Sequence, residues 1–303
     1  MAPDAVALVE TLIHHHDQPF GDSSAVPTFL LNELTRRHVT VALSGDGGDE
    51  LFAGYERFVA GLAVQRYASL PQPVRAANRR LITHLPNGAA QGRVGSLQRF
   101  VRQADLGMPA AYRNWLSFFS DGTRHEALPG ASEWAVEDYN RVWEESSGAH
   151  PLDRLLHLNL RTYLLDDLLV KADRMSMAHG LEVRSPFLDT DLLEFAFGLP
   201  PQMRAQGLSL KRALKVAAAG LLPREVLRRR KKGFGVPLDR WFREDLRTYV
   251  GDMLGSPHAR VRTHLKPEVV DRLLAEHASK KRQHGQPLWM LLTLEVFLRR
   301  EGW

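Results

Sequence analysis

The chain has 303 residues, 44% hydrophobic and 25% charged, which is long enough for one large domain or two ordinary ones and apolar enough to bury a core. Its 40 basic and 35 acidic residues leave a net +5, a modest charge that argues against a dedicated nucleic-acid binder. Zero cysteines exclude disulfides, thiolate catalysis and Cys-held metals; no apolar run reaches membrane-spanning length, so a cytoplasmic chain with no membrane partner is expected.

Val6, Val9, Leu12 and Ile13 recur at helical spacing over residues 4–16. His14, His15 and His16 follow, but adjacent positions point around a helix, so they do not form a metal site. Asp22, Ser23 and Ser24 offer an N-cap to a helix running to about Arg37, with Pro27 in its first turn. Val39–Leu43 is apolar and β-branched and predicts a short buried strand. Ser44-Gly-Asp-Gly-Gly-Asp-Glu50 then packs three glycines and three carboxylates into one turn before an apolar helix start at Leu51–Tyr55. Strand, glycine turn and helix in that order place a ligand site at the carboxyl edge of an open parallel sheet. The acidic turn repels phosphate by itself, whereas with Mg²⁺ the carboxylates and the phosphate oxygens become ligands of one ion.

Strand signals nearly vanish after Tyr55. Residues 56–70 read as a helix, 71–110 as short helices with loops, and Tyr112–Phe119 as an aromatic cap; 121–151 read as polar and turn-rich. Residues 152–175 carry Leu155, Leu158, Leu165, Leu168 and Leu169 in a long amphipathic pattern. Asp167, Lys171 and Arg174 fall three and four apart, which gives either a surface ion-pair ladder or a charged face of the site. Glu182, Arg184 and Asp189 sit among apolar residues, where charges need partners. Residues 208–222 predict a helix with Lys211 and Lys215 one turn apart, ended by Pro223. Arg228–Pro237 is a basic loop with two glycines that can wrap polyphosphate. Pro287–Leu298 is strongly apolar and too short to span a bilayer, so it predicts core.

Three stretches, Ser44–Tyr55, Lys171–Asp189 and Lys231–Phe242, together resemble the synthetase domain of glutamine-hydrolysing asparagine synthetases, and the resemblance extends over roughly residues 5–298. It implies a helix-rich α/β fold, a partial ATP-pyrophosphatase-like parallel sheet with a helical carboxyl-terminal part. The resemblance further implies one synthetase domain over residues 1–303, with 1–58 forming the sheet portion and 59–303 the mainly helical portion. The implied reaction uses ATP and Mg²⁺ to adenylate the aspartate side chain; ammonia from glutamine then displaces AMP to give asparagine, with pyrophosphate as the other product.

Carried over by position, Asp49 is the implied metal ligand and Asp46 an acidic residue of the pyrophosphate turn. Ser44, Gly45, Gly47 and Gly48 supply its hydroxyl and backbone amides. Lys231 is the implied charge-stabilising lysine at the reacting phosphate, and Arg184 and Asp173 support the site. The resemblance predicts that Asp46, Asp49, Lys231 and the Asp167–Arg174 face line one cleft. The family's first phosphate loop, Ser-Gly-Gly-x-Asp-Ser, and its glutaminase cysteine have no counterpart here, since 43 residues precede Ser44. The chain is therefore expected to be the carboxyl-terminal portion of a synthetase, from a truncated gene, a split gene or a cut chain, and inactive alone; in the split case a separate amino-terminal glutaminase and phosphate-loop half completes it. Two alternatives accompany this reading: an amidotransferase acting on another carboxylate in cell-surface sugar or secondary-metabolite synthesis, and a non-catalytic partner subunit of a split synthetase.

Overall fold

The computed structural model describes residues 5–83, 93–128, 130, 134–229 and 233–303. Helices dominate it, and among the described residues the sheet is a single parallel pair. The first helices, α1 (Ala5–His16) and α2 (Ala25–Arg36), bring the chain to β1 (Val41–Leu43). The partner strand β2 (Glu182–Arg184) comes from far along the chain, in register Val41↔Glu182, Ala42↔Val183, Leu43↔Arg184. Parallel pairing needs a crossover, and here the crossover is most of the helical portion.

The two largest of four apolar clusters among the described residues hold most of this arrangement. Leu8, Val9, Leu12 and Ile13 of α1 pack with Leu288, Trp289, Leu292 and Val296 of the helix Gly285–Glu301, so the apolar carboxyl-terminal run is core, as its length predicted. The second core joins α4 (Glu56–Ala68), through Phe58, to Leu152, Leu155, Leu156 and Leu158 of the helix Pro151–Asn159 and to Tyr112, Val142 and Trp143. Each fully buried leucine contributes roughly 1.5–3 kcal/mol, enough for several such side chains to fix α4 and hence the turn that precedes it.

The amphipathic stretch 152–175 is a rod in three parts: Pro151–Asn159, a π-helical segment Leu160–Leu169, and the α-helix Val170–Met177. That last helix packs on α1, α2 and β2. The stretch read as polar and turn-rich holds two helices, Asp121–Ala127 and Trp134–Glu145. The helix expected over 208–222 is shorter, Arg212–Ala217, because Lys211 takes a left-handed conformation (φ 55°) that a continuing α-helix excludes. Among the described residues no helix is long and apolar enough to cross a membrane.

Candidate active site

β1 runs directly into the glycine turn. Ser44 N donates to Arg184 O at 2.8 Å, which extends the β1–β2 pairing one residue into the turn. The Ser44 hydroxyl then donates to Asp46 Oδ2 at 2.9 Å and lies 2.9 Å from the Ser185 hydroxyl, so both strand ends meet at this oxygen. Gly47 has φ 93° and forms the N-cap of α3 (Gly48–Leu51). A Cβ on Gly47 would lie 2.5 Å from Leu188 Cδ2, so the position needs glycine for its backbone and for its space. Gly45 is exposed with nothing within 4 Å of its Cβ position, which leaves its backbone open to a ligand.

Asp49 and Glu50 begin the helix after the turn and are both buried, Asp49 with 8% of its surface exposed. Each has a partner. Lys211 Nζ stands 2.6 Å from Asp49 Oδ1. The Tyr55 hydroxyl donates to Glu50 Oε1; burial first, then the Glu50 charge, raises the Tyr55 pKa far above its ordinary value, so Tyr55 stays protonated. The Arg57 guanidinium lies over the Tyr55 ring at 3.8 Å and over the Tyr163 ring at 4.3 Å. Tyr163 lies in the π-helical segment Leu160–Leu169, which also carries Asp167.

Asp167 and Lys171 belong to a second cluster. Buried Lys171 donates to Asp22 Oδ2 at 2.5 Å and to Ser24 Oγ at 2.7 Å. Burial alone would raise Asp22, but the lysine charge and the Lys171 and Ser24 hydrogen bonds outweigh it and hold its pKa below the ordinary carboxylate value. Asp167 is pushed up to about 7, first by burial and then by the Asp22 charge, against the pull of Lys171. This pairing also explains why Ser24 makes no side-chain cap to α2: its hydroxyl donates to Asp22.

The structure thus brings together Ser44, Gly45, Asp46, Gly47, Gly48 and Asp49 in one turn. It connects Arg184 to that turn through its backbone, while the Arg184 side chain pairs with Glu182 at 2.7 Å on the exposed side of β2. Asp173 and Arg174 are exposed, so the face expected to carry Asp167, Lys171 and Arg174 divides into a half-buried Asp167, a buried Lys171 and a solvated Arg174. Lys231 and Lys232 lie outside the described residues. Lys211 is the residue the sequence reading missed as a site member. Its signal was faint: a lysine after Leu208-Ser-Leu210, with nothing local to name Asp49 as its partner.

Among the described residues no group of three or more His, Cys, Asp or Glu side chains is arranged to hold a metal. A Mg²⁺ ion bound together with a nucleotide would need only one or two carboxylates, its remaining positions being filled by phosphate oxygens and water. Asp49 already accepts a cation, the Lys211 ammonium, so its oxygen fits that role.

The family model for asparagine synthase matches residues 1–299. The chain belongs to the asparagine synthase family. A Mycobacterium tuberculosis protein with a provisional asparagine synthetase (glutamine-hydrolyzing) name is 34% identical over 298 residues, covering 96% of this chain and 44% of the relative. Asparagine synthetase (glutamine-hydrolyzing) 1 of Bacillus subtilis is 26% identical over 288 residues, covering 94% of this chain and 44% of the relative. A Penicillium rubens protein named amidase chyE is 22% identical over 238 residues. The chain therefore spans less than half the length of these synthetase relatives.

Proposed function

We propose that this chain carries the synthetase half of an ATP-dependent amidotransferase that activates the aspartate side-chain carboxylate and forms asparagine with glutamine-derived ammonia. The observation that carries the reading is the acidic glycine turn Ser44–Asp49, at the carboxyl end of a parallel strand, within a chain that matches the asparagine synthase family almost end to end. Adenylation moves negative charge onto departing pyrophosphate, so a site for it needs backbone donors, a metal carboxylate and a cationic clamp.

In this reading Gly45 and Gly47 present amides to phosphate, whereas the buried Gly48, expected to do the same, donates its amide to Gly45 O at 3.3 Å and closes the turn; Ser44 orients Asp46, and Asp49 holds Mg²⁺. The metal would neutralise polyphosphate charge. Lys231 supplies charge as pyrophosphate leaves: Lys231→Ala is expected to lower turnover far more than it raises the Michaelis constant for ATP, and Lys232→Ala to be mild. Equal effects of the two would remove the assignment.

A separately supplied amino-terminal half is the partner in this reading. Support comes from the parallel pair of strands among the described residues, one face of which is exposed. The test incubates the chain with ATP, Mg²⁺, aspartate and ammonium, with and without the amino-terminal half of the B. subtilis relative, and follows AMP and pyrophosphate. Release only in the mixture is expected. Steady release by the chain alone would overturn the need for a partner. Replacing aspartate by other carboxylic acids in the same assay tests the second reading, an acceptor other than aspartate.

A further inference from the structure

The Lys211–Asp49 pair combines three features that an ordinary surface ion pair lacks. The carboxylate is buried, and the lysine is itself only partly exposed. The lysine backbone is left-handed at φ 55°, a conformation that costs a non-glycine residue roughly 1 kcal/mol or more, and it is held there by Lys211 N donating to Phe52 O at 3.1 Å. Finally, the space the pair occupies exists because residue 54 is glycine: a Cβ there would stand 1.8 Å from Asp49 Oδ1 and 2.3 Å from Lys211 Cε. Gly54 N also donates to Asp49 O at 2.7 Å, so the same short segment shapes both the carboxylate's backbone and its surroundings.

We propose that Lys211 is a tethered cation that occupies Asp49 until a divalent ion arrives together with a phosphate-bearing nucleotide. The inference rests on the reading of Asp49 as the metal ligand. A divalent ion binds a carboxylate oxygen at about 2 Å, and Lys211 Nζ already stands 2.6 Å from Asp49 Oδ1. Two cations on one carboxylate repel strongly at such distances, so metal and ammonium compete for it. Free metal must displace the ammonium and leave it without an anion in a partly buried place, which costs affinity. A metal–polyphosphate complex avoids that cost, because it brings oxygens for the displaced ammonium and further ligands for the metal. Leu210 and Leu214 on either side of Lys211 pack against the cores, so it is the flexible lysine side chain, not the backbone, that must move. Metal and nucleotide therefore raise each other's affinity by the same factor, and Lys211 is the specificity-determining residue that rejects metal alone.

The experiment titrates the full chain with Mn²⁺ in the absence of nucleotide and reads free Mn²⁺ by electron paramagnetic resonance. Lys211→Met is expected to bind Mn²⁺ about tenfold or more tighter than wild type, and its melting temperature to rise with Mn²⁺. Lys211→Arg, which keeps the charge, should stay as weak as wild type. Equal Mn²⁺ affinity of wild type and a folded Lys211→Met overturns the proposal. A second measurement uses the unaltered chain: acetylation of Lys211, followed by mass spectrometry, should accelerate as Mn²⁺ saturates Asp49 and should already be fast in Asp49→Asn. A Lys211 rate indifferent to saturating Mn²⁺ overturns the proposal even if Lys211→Met does not fold. Mn²⁺ binding that Asp49→Asn leaves intact places the metal elsewhere and removes the reading of Asp49 itself, whatever Lys211 does.

Discussion

Gly47 shows how one position can carry both backbone and packing constraints. Its φ of 93° lies where side chains other than glycine are strained, and Leu188 closes the space a Cβ would need. Gly47→Ala therefore combines left-handed strain with overpacking, and a loss of about 2–4 kcal/mol is expected, read as a lower denaturation midpoint. Gly45→Ala, with open space and no positive φ, should leave stability nearly unchanged while it narrows the approach to the turn. Equal destabilisation by the two would show that the turn is not held by the Phe187–Leu188 contact. Asp167 offers a second test at this scale. Its folded pKa of about 7 lies above the ordinary 3.8, so its contribution is fully present below 3.8 and is lost as pH rises through 7. Between about pH 5 and pH 8, Asp167→Asn should gain on wild type by roughly 2–3 kcal/mol in denaturant unfolding. Buried histidines with lowered pKa values, such as His16 at about 4, change stability in the opposite direction, so the quantity to compare is the difference between the two proteins. A difference that stays flat across that range would mean that Asp167 is ionised throughout.

At the scale of elements, the sequence was most informative where chemistry and local structure coincide. Val39–Leu43 followed by glycines marked the strand and turn to within two residues, because β-branched runs and positive-φ glycines act locally, but the burial expected of the strand is not found: Val39, Val41 and Leu43 are exposed, since among the described residues only β2 pairs with it and no layer covers that face. The rod over 152–175 was legible from its leucines, but its π-helical middle was not, since the apolar repeat alone does not distinguish a widened turn. The helix Trp134–Glu145 was missed although Val136, Tyr139, Val142 and Trp143 recur at three and four; the surrounding polar residues masked the pattern. Lys211–Asp49 and Lys171–Asp22 were illegible for a different reason. Both pairs join residues far apart in sequence, and only closure of the helical portion onto the turn brings them together. Lys171→Met should accordingly act as a structural change. It leaves Asp22 buried without its counter-charge, and a loss of about 3–5 kcal/mol is expected, with Asp22→Asn in the same background recovering part of it. No recovery would mean that the lysine serves through packing alone.

For the whole molecule the decisive feature is the uncovered side of the sheet. Parallel strands occur almost only with both faces covered, because crossover helices bury them. Here Ala42 and Val183 lie on the half-buried face of the pair, while Val41 is 41% and Leu43 is 74% exposed on the other, beside the Glu182–Arg184 ion pair. Leu31 and Leu34 of α2 are exposed as well. Apolar side chains on a short parallel sheet favour contact with any surface that can cover them. The chain by itself is therefore expected to self-associate with rising concentration, as read by sedimentation velocity. Leu43→Lys should shift it toward monomer without loss of helicity, because the side chain it replaces makes little of the folded core. If an amino-terminal half of a relative covers this face, it should suppress self-association of the wild-type chain, and the same Leu43→Lys change should weaken that complex. A wild-type chain that stays monomeric at every concentration, or a complex indifferent to residue 43, would mean that the exposed face is not where a partner docks.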